Sequence, residues 1–147
     1  MAYQFNGIAA GDQSGYSVSS AGDVTGDGID DLIIAAPFAD PNGSSGAGES
    51  YLISGADLAA LDAATANGGT AGDGIIELAD VAAIGASATG TSYQFNGITG
   101  GDLSGYSVSS AGDVTGDGID DLIIAAYGAD PNGNGDAGET YLISGAD

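Results

Sequence analysis

The sequence predicts an all-β fold: two four-stranded antiparallel units of the propeller-blade type, joined by an irregular connector. Three observations carry this. Residues 3–57 recur as residues 93–147 without a gap, and the copies differ at 9 of 55 positions. Each copy holds four short runs of strand-forming residues, separated by clusters of Gly, Asp, Asn, Pro and Ser. The chain carries 28 glycines, which disfavour long helices. Repeats of this length mark solenoids, propellers or arrays in which one unit cannot bury its own faces, and four antiparallel strands are the make-up of a propeller blade.

In copy A (3–57) the first run is Tyr3-Gln4-Phe5-Asn6 and the second Tyr16-Ser17-Val18-Ser19, both alternating. The third, Leu32-Ile33-Ile34-Ala35-Ala36, is apolar throughout and predicts burial on both faces. The fourth is Ser50-Tyr51-Leu52-Ile53. Copy B (93–147) repeats this pattern. The Tyr and Phe side chains at alternating positions read as packing residues. In the connector (58–92), the Ala/Leu-rich stretch from Asp57 to Ala64 predicts a short helical turn ended by Asn67-Gly68-Gly69. Ile75-Ile76-Glu77-Leu78 predicts an extra strand, Asp80 to Ile84 fits helix or strand, and Ala86 to Ser92 reads as a flexible surface stretch.

Composition removes whole classes of function. Lys, Arg, His and Cys are absent, and 21 Asp and Glu give a net charge of −21. Nothing can neutralise phosphates, so nucleic-acid binding is not expected. Disulfides, Cys/His zinc sites, thiol nucleophiles and Ser-His-Asp triads are excluded. No apolar run approaches the ~18 residues that span a bilayer, so no membrane insertion is expected. Met1-Ala2-Tyr3 opens no export segment, and any such signal is expected to be removed or to lie outside this chain. Repulsion among the carboxylates opposes compaction, and bound metal ions are the natural offset.

The metal-binding pattern is Asp23-Val24-Thr25-Gly26-Asp27-Gly28-Ile29-Asp30-Asp31, repeated unchanged as residues 113–121. Oxygen-bearing side chains fall at loop positions 1, 3, 5 and 9, with Gly28 at the sharp turn and the Ile29 carbonyl free to point inward. Hard oxygen donors at alternating positions suit Ca²⁺ better than zinc, copper or Mg²⁺. An EF-hand needs a Glu at position 12, where this chain has Ile34 inside an apolar strand. The loop therefore joins two strands.

Gly15-Tyr16-Ser17-Val18, Ala21-Gly22-Asp23, this loop, and Asp31-Leu32-Ile33-Ile34-Ala35-Ala36-Pro37 together resemble the FG-GAP repeat of integrin α-subunit propellers and bacterial extracellular proteins. The resemblance implies blades with calcium-binding hairpin loops. Its ligands would be Asp23, Thr25, Asp27, the Ile29 carbonyl and Asp31, and in copy B Asp113, Thr115, Asp117, the Ile119 carbonyl and Asp121. Thr stands where the family commonly has Asn or Asp, which weakens one ligand. Propellers of that family also have more blades than two. Asp40-Pro41-Asn42-Gly43 with Glu49, repeated in copy B, reads first as a turn and second as a further cation site.

Two blades cannot close a ring, and bare blade edges invite pairing. The expected function is a calcium-stabilised structural module, extracellular or at the cell surface, assembling into homo-oligomers or filaments through its blade edges. The alternative is an adhesion propeller that engages a protein or glycan. No carboxylate outside the loops stands beside a nucleophile, so no enzymatic activity is expected.

Overall fold

The computed structural model describes residues 2–64, 70–85 and 91–145. In chain order its elements are β1 (Gln4–Asn6), β2 (Ser17–Gly22), β3 (Asp31–Ala36), β4 (Glu49–Ile53), α1 (Leu58–Ala63), β5 (Ile75–Glu77), α2 (Leu78–Gly85), β6 (Tyr93–Asn96), β7 (Ser104–Gly112), β8 (Asp121–Ala126) and β9 (Glu139–Ile143). Both central strands, β3 and β8, come from the expected apolar run and pair antiparallel with the strands on either side. The expected helical turn is α1, the expected extra strand is β5, and the undecided stretch is α2. Asn67-Gly68-Gly69 lies outside the described residues.

The grouping of strands differs from the expectation of four per copy. The first sheet has the order β2-β3-β4-β6, so its fourth strand is the first strand of copy B. Leu52 faces Tyr93, Tyr51 faces Gln94, Ser50 faces Phe95 and Glu49 faces Asn96. The pairing continues past the strand, where the Gly97 amide donates to the Gly48 carbonyl at 2.7 Å. β4 is buried along most of its length, and its second row of backbone groups needs partners that water does not supply. β6 provides them. The identical first strand of copy A, β1, pairs in parallel with β5 of the connector. The second sheet, β7-β8-β9, has three strands among the described residues.

The two faces of the first sheet have different covers. Ile34, Ala36, Tyr51 and Ile53 pack against Leu61, Ile76, Leu78 and Val81 of the connector, with Tyr3 and Phe5 at the margin. Ile33, Ala35 and Leu52 on the opposite face pack against Val108, Leu122 and Ile124 of copy B. The blades thus stack head to tail, because Leu122 and Ile124 occupy the repeat positions of Leu32 and Ile34. The connector takes the place of a preceding blade, but only in part: Val18 is 62% exposed, whereas its counterpart Val108 is 5% exposed. Among the described residues, the second blade has cover on one face. Leu142 is 48% exposed, whereas its counterpart Leu52 is 2% exposed.

Acidic side chains fasten the connector. Asp57 accepts from the amides of Thr91 and Ser92, each at 3.0 Å, and from the Ser92 hydroxyl at 2.9 Å. Asp62 accepts from the Gly74 amide at 2.8 Å. Ser92 is fully buried and also accepts from the Ser54 amide, so this end of the expected surface stretch is structural. Residues 86–90 lie outside the described residues.

This asymmetry makes equal substitutions unequal. Leu52→Ala is expected to lower stability by about 2–5 kcal/mol, the usual range for a buried leucine. Leu142→Ala should cost no more than about 0.5 kcal/mol, as at an exposed position. Leu78→Ala should resemble Leu52→Ala, because the connector is part of the core. Denaturant unfolding of the three variants in dilute solution checks this.

Candidate metal centre

The two acidic loops connect β2 to β3 and β7 to β8. Positive φ at Gly26 (72°) and Gly28 (86°), a backbone region that side chains disfavour, turns the chain back within five residues. Asp23 closes the turn: its carboxylate accepts from the Asp27 amide at 2.9 Å and the Gly28 amide at 2.8 Å. Asp113 does the same for Gly116, Asp117 and Gly118 at 2.7–3.0 Å. Asp27 and Asp117 each accept from the amide two residues on, at 2.8 and 2.9 Å.

The last loop residue anchors the loop to its blade. Asp31 accepts from the Thr25 amide at 3.0 Å and, across the sheet end, from the Gly55 amide at 3.1 Å. Asp121 accepts from the amides of Val114 and Thr115 and from that of Gly145. Both carboxylates are almost fully buried. Burial pushes the Asp31 carboxyl above the ordinary carboxylate value, the Gly55 and Thr25 amides pull it back, and the Asp27 charge adds to the rise.

In copy B the Thr115 hydroxyl lies 2.6 Å from Asp117 and 3.4 Å from Asp121, so three of the five expected ligand residues meet. The Thr115 hydroxyl and the Ile119 amide hold the Asp117 carboxyl below its usual range. In copy A the Thr25 hydroxyl oxygen is buried and makes no hydrogen bond. Among the described residues, no three carboxylates converge tightly enough to hold an ion on their own. The donor set nevertheless suits a hard cation. It consists of oxygens alone, it includes a buried hydroxyl without a partner, and the chain supplies no side-chain cation to balance Asp31.

The sequence model of the FG-GAP repeat family matches residues 14–53 and 104–143. The chain belongs to the FG-GAP repeat family. Each matched FG-GAP repeat spans a three-stranded unit to the end of its third strand, the first starting three residues before β2 and the second at the first residue of β7. Tyr3–Asn6 and Tyr93–Asn96 lie outside these bounds, in keeping with β6 joining the preceding sheet. A search of the curated proteins found no match.

Three features of these FG-GAP blades were not read from sequence. Asp120, at the non-ligand position 8 of its loop, accepts from the Asp23 amide of the other loop at 3.2 Å. The first loop is thereby clamped at the blade junction, with Val24 5% exposed, whereas Val114 of the second loop is 62% exposed. Second, Tyr16, Phe38, Tyr106 and Tyr127 do not pack inside. They form a surface row in the order Phe38, Tyr16, Tyr106, Tyr127, with successive ring centroids 5.9, 5.0 and 4.4 Å apart. Third, the Asp40 and Glu49 oxygens are engaged locally: Asp40 accepts from the Gly46 amide at 2.7 Å and Glu49 from the Tyr51 hydroxyl. These contacts belong to the turn read from the sequence, with Asn42 at positive φ (55°).

Asp27→Ala is expected to abolish cation binding by the first loop, and Asp30→Ala to leave it unchanged; calorimetric titration counting sites distinguishes them. A second expectation concerns alkaline pH. Glu139 pushes the Tyr141 hydroxyl up to about 12, and burial together with Glu49 raises Tyr51 further. Raised folded-state values mean that the stabilisation is complete below the ordinary tyrosine value of 10 and is lost as pH rises through the folded value. Absorbance titration should show late-ionising tyrosines, and Tyr141→Phe should remove the part that titrates near 12.

Proposed function

We propose that the chain is a calcium-stabilised structural module, extracellular or at the cell surface, that self-associates through the open side of its second blade. One observation carries this reading. Two FG-GAP blades are stacked, each with an acidic loop between its first two strands, and among the described residues the first has cover on both faces while the second has cover on one. Calcium would bring the missing positive charge to Asp23, Thr25, Asp27 and Asp31, and to Asp113, Thr115, Asp117 and Asp121, with the Ile29 and Ile119 carbonyls completing the sets. A metal that binds only the folded state stabilises it by about 2.7 kcal/mol per site at a hundred times its Kd. In this reading the module carries no catalytic role.

A second reading, an adhesion module for a protein or glycan, is favoured by the exposed aromatic row. Flat rings at the surface offer apolar contact area with little conformational entropy to lose.

Two measurements test the leading reading. Excess EGTA should lower the melting temperature sharply, and Mg²⁺ should restore it poorly. Sedimentation in calcium should show oligomers that dissociate on chelation, since repulsion between chains of charge −21 opposes contact without the metal. An unchanged melting curve in EGTA removes calcium from the account. A folded, calcium-loaded monomer at all concentrations removes self-association.

A further inference from the structure

We infer that the free edge of β9 is a strand-acceptor site, and that its occupant is the segment Tyr3-Gln4-Phe5-Asn6 of a second copy of this chain. The inference rests on the self-associating reading and names its contact. The first blade shows what the edge accepts. There the outer edge of β4, Glu49-Ser50-Tyr51-Leu52-Ile53, is filled by Tyr93-Gln94-Phe95-Asn96 in antiparallel register. The edge of β9 reads Glu139-Thr140-Tyr141-Leu142-Ile143 and differs from β4 only in Thr for Ser. Among the described residues nothing pairs with its outer side. The peptide Tyr3–Asn6 is identical to Tyr93–Asn96. Carrying the observed register across places Asn6 opposite Glu139, Phe5 opposite Thr140, Gln4 opposite Tyr141 and Tyr3 opposite Leu142.

The side chains support the same occupant. Phe95 sits on the face of the first sheet that carries Ser50 and Leu52, and it packs against the core between the blades. Phe5 and Tyr3 of a donor would lie on the face carrying Thr140 and Leu142. Leu142 is left half exposed, while its counterpart Leu52 is covered. The open face of the second blade, with Ile123, Ala125 and Leu142, therefore presents the counterparts of Ile33, Ala35 and Leu52, which the first blade buries where the two blades meet.

The donor is held by a short strand pair and by the packing of Tyr3 and Phe5 at the margin of the core. β1 makes a three-residue parallel pair with β5, reinforced by the Gln4 amide to the Gly74 carbonyl at 2.7 Å and by the Asn6 side chain to Glu77 at 2.9 Å. The exchange replaces this with a longer antiparallel pair, the slightly more stable arrangement. Residues 7–16 link β1 to β2 and, at about 3.3 Å per residue, can extend to about 33 Å. Donation by each chain to the next is a head-to-tail contact, which closes a ring or propagates according to its rotation.

The chain has no cysteine, so introduced thiols are unique. Full-length Tyr3→Cys is mixed with Leu142→Cys, or with Thr140→Cys, in calcium under a mild oxidant. Facing Cβ atoms in an antiparallel pair lie about 4.5–5.5 Å apart and diagonal ones about 7–8 Å. Cross-linked dimer several-fold more abundant with Leu142→Cys than with Thr140→Cys is the expected result. A labelled peptide of residues 2–8 added to the unmutated chain guards against misfolded variants; it should bind saturably, and a scrambled peptide should not. Oligomers in sedimentation without the register preference would overturn the strand assignment and leave self-association standing. Peptide binding to a chain that sediments as a monomer would support the acceptor edge and overturn the assembly. Monomers that ignore the peptide would overturn both.

Discussion

A strand apolar on both faces has to be covered on both, and this chain has two such strands. Burying a side chain of the size of Ile or Leu is worth about 1.5–3 kcal/mol, so each bare face is costly. For β3 one cover is the second blade and the other is the connector, whose Leu61, Ile76, Leu78 and Val81 lie where a preceding blade would stack. For β8 the first blade covers one face, and Ile123 and Ala125 on the other stay half-buried. The result is a polar module with a covered end and an open end. The strand order follows: once β4 is buried between two covers its edge must be paired, and β6 is the next segment of suitable sequence to arrive.

The repeat, the apolar central strands, the acidic loops and the extra connector strand were all legible, because each depends on local pattern. What was not legible depends on neighbours. Tyr3–Asn6 and Tyr93–Asn96 are the same peptide, yet one pairs in parallel with β5 and the other antiparallel with β4. Val18 and Val108, Leu52 and Leu142, and Val24 and Val114 are matched residues with opposite exposure. No single-sequence rule separates such pairs; the difference lies in which blade has a neighbour. The alternation of Tyr16 and Val18 suggested inward packing, but Val18 is exposed and Tyr16 joins the surface row instead.

The loops follow the same division. Their turns are built by local hydrogen bonds in which the Asp23 and Asp113 carboxylates accept from following amides, and the sharp turn at Gly28 was legible from the pattern. The different state of the two threonines was not predictable. Thr115 reaches Asp117 and Asp121, while the Thr25 hydroxyl is buried near Asp31 without a hydrogen bond of its own. The first loop is pinned by Asp120 from the other blade, so cation chemistry and blade stacking meet at one junction. A cation at the first loop would stabilise the stack as well as the turn, which ties the proposed calcium role to the architecture.

The central claim is that the connector and the second blade together bury the first blade, leaving the second with an open edge. Amide hydrogen exchange on dilute, monomeric protein tests it most directly. Amides of β3 and β4 should be protected close to the global unfolding limit, while the outward-facing amides of β9 should exchange orders of magnitude faster than their counterparts in β4. Equal protection of β4 and β9 in the monomer, or rapid exchange throughout β4, would contradict the account.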